Sequence, residues 1–415
     1  MRKTFKSLLS LSAVIFIAGL YNSSVYGVPA FARQTGLDCT SCHGTFGYPT
    51  LNSFGAAFKA GGYTNASEDS LMGDGEDLSL PKVLNLSSVI KMRAIFALKD
   101  SAGNKAEGFV DELNMPDEIS FFYGGRVAKN IGVKIEMGIK APESGVLSFA
   151  MPYVVPVGPV TIGAVPYWTD AAGPAWFFET LSTGNASNIR AAEKHKGPIH
   201  PQGDVGSDFD TAAGLGVYVW HPYGFVAYSP FLNWGPFNAS GNPKASHYVR
   251  AAVTPTVGPV DLAAGFMMTT GARNNGQDLG CMEDPNLGTI AQCDLGHHDS
   301  SKIGADIQVM GNVGIPIGVT FSWAKFTQDV TATDTYNGGV GIYAEAGVIE
   351  NLLNLGVGYI GGSNSVAGVA NTDGSSLDLV LKANLARNVR YHFEFVMGMG
   401  DNKSQKFTNM IFAAF

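Results

Sequence analysis

The chain has 415 residues, of which 45% are hydrophobic and only 15% are charged. Its 27 Lys and Arg residues are outnumbered by 35 Asp and Glu residues, which gives a formal net charge of −8 and excludes a nucleic-acid partner that needs clustered cations. Low charge, 52 glycines and 11% aromatic residues are typical of an exported β-protein whose outer surface faces lipid.

The first predicted element is a signal peptide. Arg2, Lys3 and Lys6 form a basic start, and the apolar run 8–20 is shorter than a membrane-spanning helix. Cleavage after Gly27 or after Ala32 would follow a small residue in either case. We place the signal peptide at residues 1–27 and expect a bacterium to export the mature protein.

Cys39, Cys42 and His43 form a Cys-x-x-Cys-His sequence, the attachment motif of a c-type haem. One helical turn spaces the two thiols for the two vinyl groups of a porphyrin, and His43 then lies beneath the iron as its axial ligand. A thioredoxin-like redox pair, a zinc half-site and a disulfide are the alternatives. Because no second cysteine pair or α/β context follows nearby, the sequence predicts one covalent haem c.

A short helix is predicted directly after the haem motif. It begins at 49–50, and Leu51, Phe54 and Phe58 fall on one face at helical spacing. The Gly61-Gly62 pair ends it. We expect this apolar face to help cover the haem.

The haem segment is assigned to residues 28–75. Met72 is its only methionine and is the predicted sixth ligand of the haem iron, where a thioether would raise the reduction potential; the alternative is that it is a linker residue. The part from Arg33 to about Gly73, roughly forty residues, is too short to build a core of its own. We therefore expect the rest of the chain to cover the haem.

From Val83 onward, stretches alternate apolar with polar or small residues, which predicts β-strands. Seven short breaks separate them at 128–132, 157–160, 221–224, 257–260, 312–316, 349–352 and 386–389. Longer polar breaks lie at about 99–116, 141–148, 170–209, 235–245, 271–301, 328–335, 363–373 and 401–403. Because short and long breaks alternate, they predict about 16 antiparallel strands.

Short turns alternating with long loops predict a transmembrane outer-membrane β-barrel over residues 76–415, with periplasmic turns and extracellular loops. An even strand number places both ends of the barrel on the periplasmic side, and Phe415 closes the last strand. A soluble β-sandwich or propeller would not explain the alternation. The fold class is therefore all-β, with a small α-helical haem segment that enters from the periplasmic side and plugs the lumen.

Two further groups of residues have competing interpretations. Cys281 and Cys293 are predicted to form a disulfide in an extracellular loop. The rival interpretation is a metal site with the neighbouring side chains Glu283, Asp284, Asp294, His297 and His298. A second acidic group could capture iron outside the cell, or could be ordinary loop residues with Asp117 and Glu118 facing the lumen; it consists of Glu107, Asp111, Glu112, Asp117 and Glu118.

The stretch Pro29–Thr64 resembles the head of the fused monohaem cytochrome–porins of iron-oxidising bacteria. It contains, in order, Phe-Ala-Arg-Gln-Thr-Gly, Cys-x-x-Cys-His, Pro-x-Leu-x-x-Phe-Gly-x-x-Phe-Lys and Gly-Tyr-Thr. The barrel region is similar to that family only in its length, its pattern and its end.

This resemblance implies an Fe(II)-oxidising oxidoreductase of the outer membrane. Extracellular Fe(II) would give its electron through the barrel to a periplasmic electron-carrier cytochrome, with Cys39 and Cys42 holding the haem and His43 ligating its iron. No family motif fixes an Fe(II) site, so the catalytic residues are unknown. The alternatives are an outward conduit that reduces extracellular metals and a solute porin with an ancillary haem.

Overall fold

The computed structural model describes residues 29–44, 46–47, 50–66, 71–72, 80–82, 84–139, 146–169, 212–232, 245–274, 297–328, 335–366 and 372–415. The predicted signal peptide and the predicted disulfide between Cys281 and Cys293 lie outside these ranges. Within them, no helix is long and apolar enough to cross a membrane.

Among the described residues, three short helices and a small hairpin precede the main sheet. They are α1 (Pro29–Thr35), α2 (Cys39–His43), α3 (Ser53–Ala60) and the paired strands Leu71–Met72 and Leu80–Pro81. The Asn52 side chain caps α3 by accepting a hydrogen bond from the Gly55 N–H at 2.8 Å. The helix ends before Gly61, as predicted.

The strands of the main sheet follow in chain order. They are β1 (Leu86–Lys99), β2 (Val110–Ala128), β3 (Ile131–Ile139), β4 (Val146–Ala150 and Tyr153–Val157), β5 (Val160–Thr169), β6 (Ala212–His221), β7 (Gly224–Leu232), β8 (Ala245–Val253 and Thr256–Val257), β9 (Val260–Asn274), β10 (His297–Asn312), β11 (Pro316–Gln328), β12 (Thr335–Ile349), β13 (Leu353–Val366), β14 (Thr372–Ala386), β15 (Val389–Gly400) and β16 (Gln405–Ala414). β4 and β8 each consist of two segments that pair with the same neighbour.

The sheet closes on itself as an antiparallel barrel of sixteen strands. Closure joins β16 to β1, with Phe412 opposite Lys91 in the register. The backbones of Ser88 and Phe415 extend this pairing with hydrogen bonds of 2.7 and 3.0 Å. Because closure satisfies both edges of the sheet, the predicted barrel and the role of its last residue are confirmed.

All seven predicted short turns are present. Several need a left-handed backbone, which Gly158 and Gly258 adopt with φ of 60° and 59°, and Asn351 and Asn388 with φ of 56° and 66°. Tight turns of this kind connect antiparallel neighbours, so all seven lie at one end of the barrel. We call this end the short-turn end.

The first long loop is shorter than the sequence predicts. β2 begins at Val110, inside the range 99–116 that was assigned to a loop. The charged side chains at the start of this strand form ion pairs: Asp111 lies 2.8 Å from Lys406, and Glu112 lies 3.1 Å from Arg93. The polarity of this stretch therefore predicted a loop, whereas its residues form a strand with charged side chains.

The two faces of the strands differ as expected of a barrel in a membrane. In β6, Val217 and Val219 are 42% and 51% exposed, while Tyr218 between them is buried. Buried faces elsewhere carry charge: Arg250 and Asp306 are 2.7 Å apart, and other such pairs occur. An apolar outer surface and a polar lumen are typical of outer-membrane barrels.

Candidate functional site

The helix α2 consists of the haem motif itself. Its single turn carries Cys39 and Cys42, which are not joined in a disulfide and are each half-buried. Burial, and secondarily the nearby Cys39, raises the pKa of the Cys42 thiol. The two thiols lie one helical turn apart, which is the spacing that thioether attachment requires.

The His43 imidazole is oriented for metal ligation. Its Nδ1 lies 2.7 Å from the carbonyl oxygen of Thr50, an atom that can only accept a hydrogen bond. The proton is therefore on Nδ1 and the lone pair on Nε2, the arrangement that second-shell carbonyls impose on metal-ligating histidines. Burial lowers the pKa of His43 to about 4, so the ring is neutral near pH 7, and these residues fit a haem.

The helix α3 packs directly on the end of α2. A Cβ on Gly55 would lie 2.4 Å from the Cys42 carbonyl oxygen, a contact that only glycine permits. The same oxygen accepts the Asn52 N–H at 2.9 Å, and the Asn52 side chain donates to Ser41 O at 2.9 Å. Short contacts and hydrogen bonds thus fix the helix that carries the haem motif.

The apolar face of α3 is only partly the one that the sequence predicts. Phe58 is buried, with Phe31 and Tyr63 at ring distances of 5.3 and 5.7 Å. Phe54, in contrast, is 42% exposed. Because Gly55 packs against Cys42, the buried side of α3 includes Gly55 and Phe58 but not Phe54.

Gln34, at the end of α1, joins the haem segment to the barrel. Its side-chain N–H groups donate to Tyr63 O and Asn65 O, both at 2.7 Å. Its carbonyl oxygen accepts from the Arg126 N–H at 2.7 Å and from the Asn85 side chain at 3.2 Å. With only 1% of Gln34 exposed, these four bonds fix it between the segment and β2.

The barrel wall also contacts the end of α3. Tyr218 of β6 donates from its hydroxyl to Ala60 O at 2.5 Å. A Cβ on Gly132, which follows the first short turn, would lie 1.7 Å from Gly62 O. The backbone after α3 therefore lies directly on the inner wall.

Two strands from another part of the barrel bind the start of α3. Gln308 of β10 donates to Leu51 O at 3.2 Å, and Asp261 of β9 accepts the Ser53 N–H at 2.9 Å. Both side chains belong to inward faces of their strands. The segment is thus held from several directions around the lumen.

Arg390 of β15 binds the loop that follows the haem motif. Its Nη1 donates to Phe46 O at 2.8 Å, and its Nε donates to the Asn384 side chain at 2.9 Å. The Phe46 ring also lies against Gly318 of β11, 3.1 Å from the position of a Cβ there. The sequence analysis did not single out Arg390; the signal was its place in a run of charged residues at every second position of one strand.

These contacts hold the haem segment against the barrel at its short-turn end. The contacting residues lie within a few positions of the short turns and come from β2, β6, β9, β10 and β15. A segment too small to form a hydrophobic core alone thus packs against the barrel, which supplies the missing contacts.

Met72 lies apart from this arrangement. It belongs to the two-residue strand paired with Leu80–Pro81, and its side chain is 49% exposed. A second thioether is close to the motif: Met310 Sδ lies 3.9 Å from the position of a Cβ on Gly44. Met72 as the sixth ligand stays a prediction.

The acidic residues proposed for iron capture are mostly ion-paired. Asp111 lies 2.8 Å from Lys406, and Glu112 lies 3.1 Å from Arg93. Asp117 and Glu118 face the lumen and pair with Arg93 and Lys91. In the part of the chain that the structure describes, no three His, Cys, Asp or Glu side chains are grouped to hold a metal ion.

Comparison of the sequence with protein families and with curated proteins gives no match. Among solved structures, the fold is similar to OmpT, an outer membrane protein of Vibrio cholerae, in a loop-deletion form and in a trimeric form. Each has a TM-score of 0.50 and 11% identity, over 80% of this chain and 99% of the other. An anion-selective porin from Comamonas acidovorans has a TM-score of 0.47 and 11% identity over 80% and 99%. The fold class is a porin-like outer-membrane barrel.

Proposed function

We propose that this protein is an outer-membrane cytochrome that oxidises extracellular Fe(II) and delivers the electron to a periplasmic carrier cytochrome. The observation that supports the proposal is that the segment with the haem-attachment motif is held at the short-turn end of the barrel by hydrogen bonds to Gln34 and from Tyr218 and Arg390. A barrel that served only solute passage would not need such a segment.

The chain's own residues would hold the cofactor. Cys39 and Cys42 would form the thioethers, and His43, with its proton fixed on Nδ1 by Thr50, would ligate the iron. Phe54, which the protein leaves exposed, would cover a porphyrin face. A haem bound there supplies one-electron chemistry.

The distance between the haem segment and the long loops favours an electron donor that is small and soluble. β10 extends eleven residues beyond Gln308 to His297, which is roughly 28 Å along the barrel axis for a strand tilted by about 40°. This distance is longer than an electron can tunnel in a single step. A mineral surface at the long loops could not reach the site, whereas Fe(II) could enter the polar lumen, where negative net charge would raise its local concentration.

The test uses vesicles with the long loops outside and an oxidised cytochrome c trapped inside. External Fe(II) should reduce the haem and then the trapped cytochrome, with no iron in the vesicle interior. The matched control is the Cys39→Ala/Cys42→Ala double variant, which keeps the barrel without covalent attachment and should leave the trapped cytochrome oxidised. If iron enters the vesicles while the haem stays oxidised, the protein is a solute porin.

A further inference from the structure

Arg390 places a positive charge beside the haem motif. It belongs to β15, is only 6% exposed, and donates from Nη1 to the carbonyl oxygen of Phe46, three residues after His43. Its guanidinium fills the space next to Gly47, where a Cβ would lie 2.7 Å from Nη1.

The position of this charge is fixed from two directions. Asn384 on β14 accepts from Nε at 2.9 Å, while Phe46 O accepts from Nη1 on the other side of the group. Asn384 is itself anchored, since its side-chain amide donates to Asn351 O at 2.6 Å. A planar guanidinium held by both edges keeps its charge in one place.

From this geometry we infer that Arg390 is a positioning residue that raises the reduction potential of the haem bound at Cys39, Cys42 and His43. The inference rests on the proposed function, because it needs the haem. Reduction removes one positive charge from the iron, so a buried cation nearby favours the reduced form. For unit charges about 10 Å apart at an effective dielectric constant near 20, this is roughly a tenfold effect on an equilibrium constant.

The charge and the hydrogen bonds of Arg390 can be separated by substitution. Arg390→Gln removes the charge and should lower the equilibrium constant for haem reduction about tenfold, which is about 59 mV for a one-electron couple. Arg390→Lys keeps the charge and should stay near the wild-type potential. Asn384→Ala releases Nε but leaves the charge in place, and should change the reduction constant by less than about threefold.

The measurement is a potentiometric titration of the purified protein, with covalent haem content determined in parallel. Lys406→Gln is the matched control, since it removes a cation at the opposite end of the barrel and should leave the potential unchanged. If Arg390→Gln binds full haem at the wild-type potential, the inference is wrong while the proposed function stands. Wild-type protein without covalent haem would instead overturn the proposed function.

Two further outcomes also decide whether the charge of Arg390 sets the potential. An equal fall in potential in Asn384→Ala and Arg390→Gln would mean that hydrogen bonding, and not charge, sets the potential. Should Arg390→Gln fail to assemble, Arg390→Met carries the test, since it also removes the charge and keeps a long side chain. A fall of about tenfold in its reduction constant supports the inference, and the wild-type potential in that variant overturns it.

Discussion

Replacing Gln34 should destabilise the haem segment and its attachment to the barrel. Gln34→Met keeps an unbranched side chain of similar length but removes both the donor and the acceptor groups. Four hydrogen bonds are lost, two within the segment to Tyr63 and Asn65 and two from Asn85 and Arg126 outside it. At about 1 kcal/mol net for each bond, the segment should be destabilised by about 4 kcal/mol. Because every 1.4 kcal/mol is a factor of ten, the open form should become roughly a thousand times more populated.

Hydrogen exchange measured by mass spectrometry reads this local opening directly. Peptides from α1 and α3 should exchange up to a thousandfold faster in Gln34→Met, while strands β9 to β15 in the same sample keep their protection. Gln308→Met is the matched control. It makes the same chemical change but removes a single, longer hydrogen bond of 3.2 Å to Leu51, so its effect should be only about fivefold.

The most sensitive quantity is the ratio of the exchange rates of α1 and α3 in Gln34→Met to those in Gln308→Met. If the exchange of α1 and α3 in Gln34→Met stays within about twofold of wild type, the four bonds do not hold the segment and the reasoning is refuted. If the barrel strands lose protection to the same extent, Gln34 supports the whole fold and not the attachment of the segment.

Two further predictions concern the haem. Cys39→Ala and Cys42→Ala should each abolish stable covalent haem c, because each removes one thioether; haem-stained denaturing gels check this, and undiminished staining in the double variant would contradict it. Met72→Ala should lower the reduction potential and remove a low-spin methionine signature if Met72 is the sixth ligand. The parallel variant Met310→Ala tests the thioether that lies near Gly44. An unchanged spectrum in Met72→Ala would exclude that residue.

Local patterns in the sequence were enough to predict the architecture. Alternation at period two follows from the geometry of a strand with one side toward lipid, and turn residues such as Asn388 act within a few positions of themselves. The haem motif is local for the same reason, since Cys39, Cys42 and His43 occupy one helical turn. The prediction was wrong at the start of β2, because the sequence does not show that the charged side chain of Glu112 would pair with Arg93 on the neighbouring strand.

The environment of the haem segment was decided by the tertiary structure alone. Gln34 meets Arg126 across 92 residues, and Phe46 meets Arg390 across 344. No periodicity in the chain relates such positions. They come together because closure of the barrel brings β15 and β2 to the same end of one sheet, where a segment too small for its own core packs against them. The buried face of α3 is likewise set by a tertiary contact, that of Gly55 with Cys42, and not by the spacing of Phe54 and Phe58.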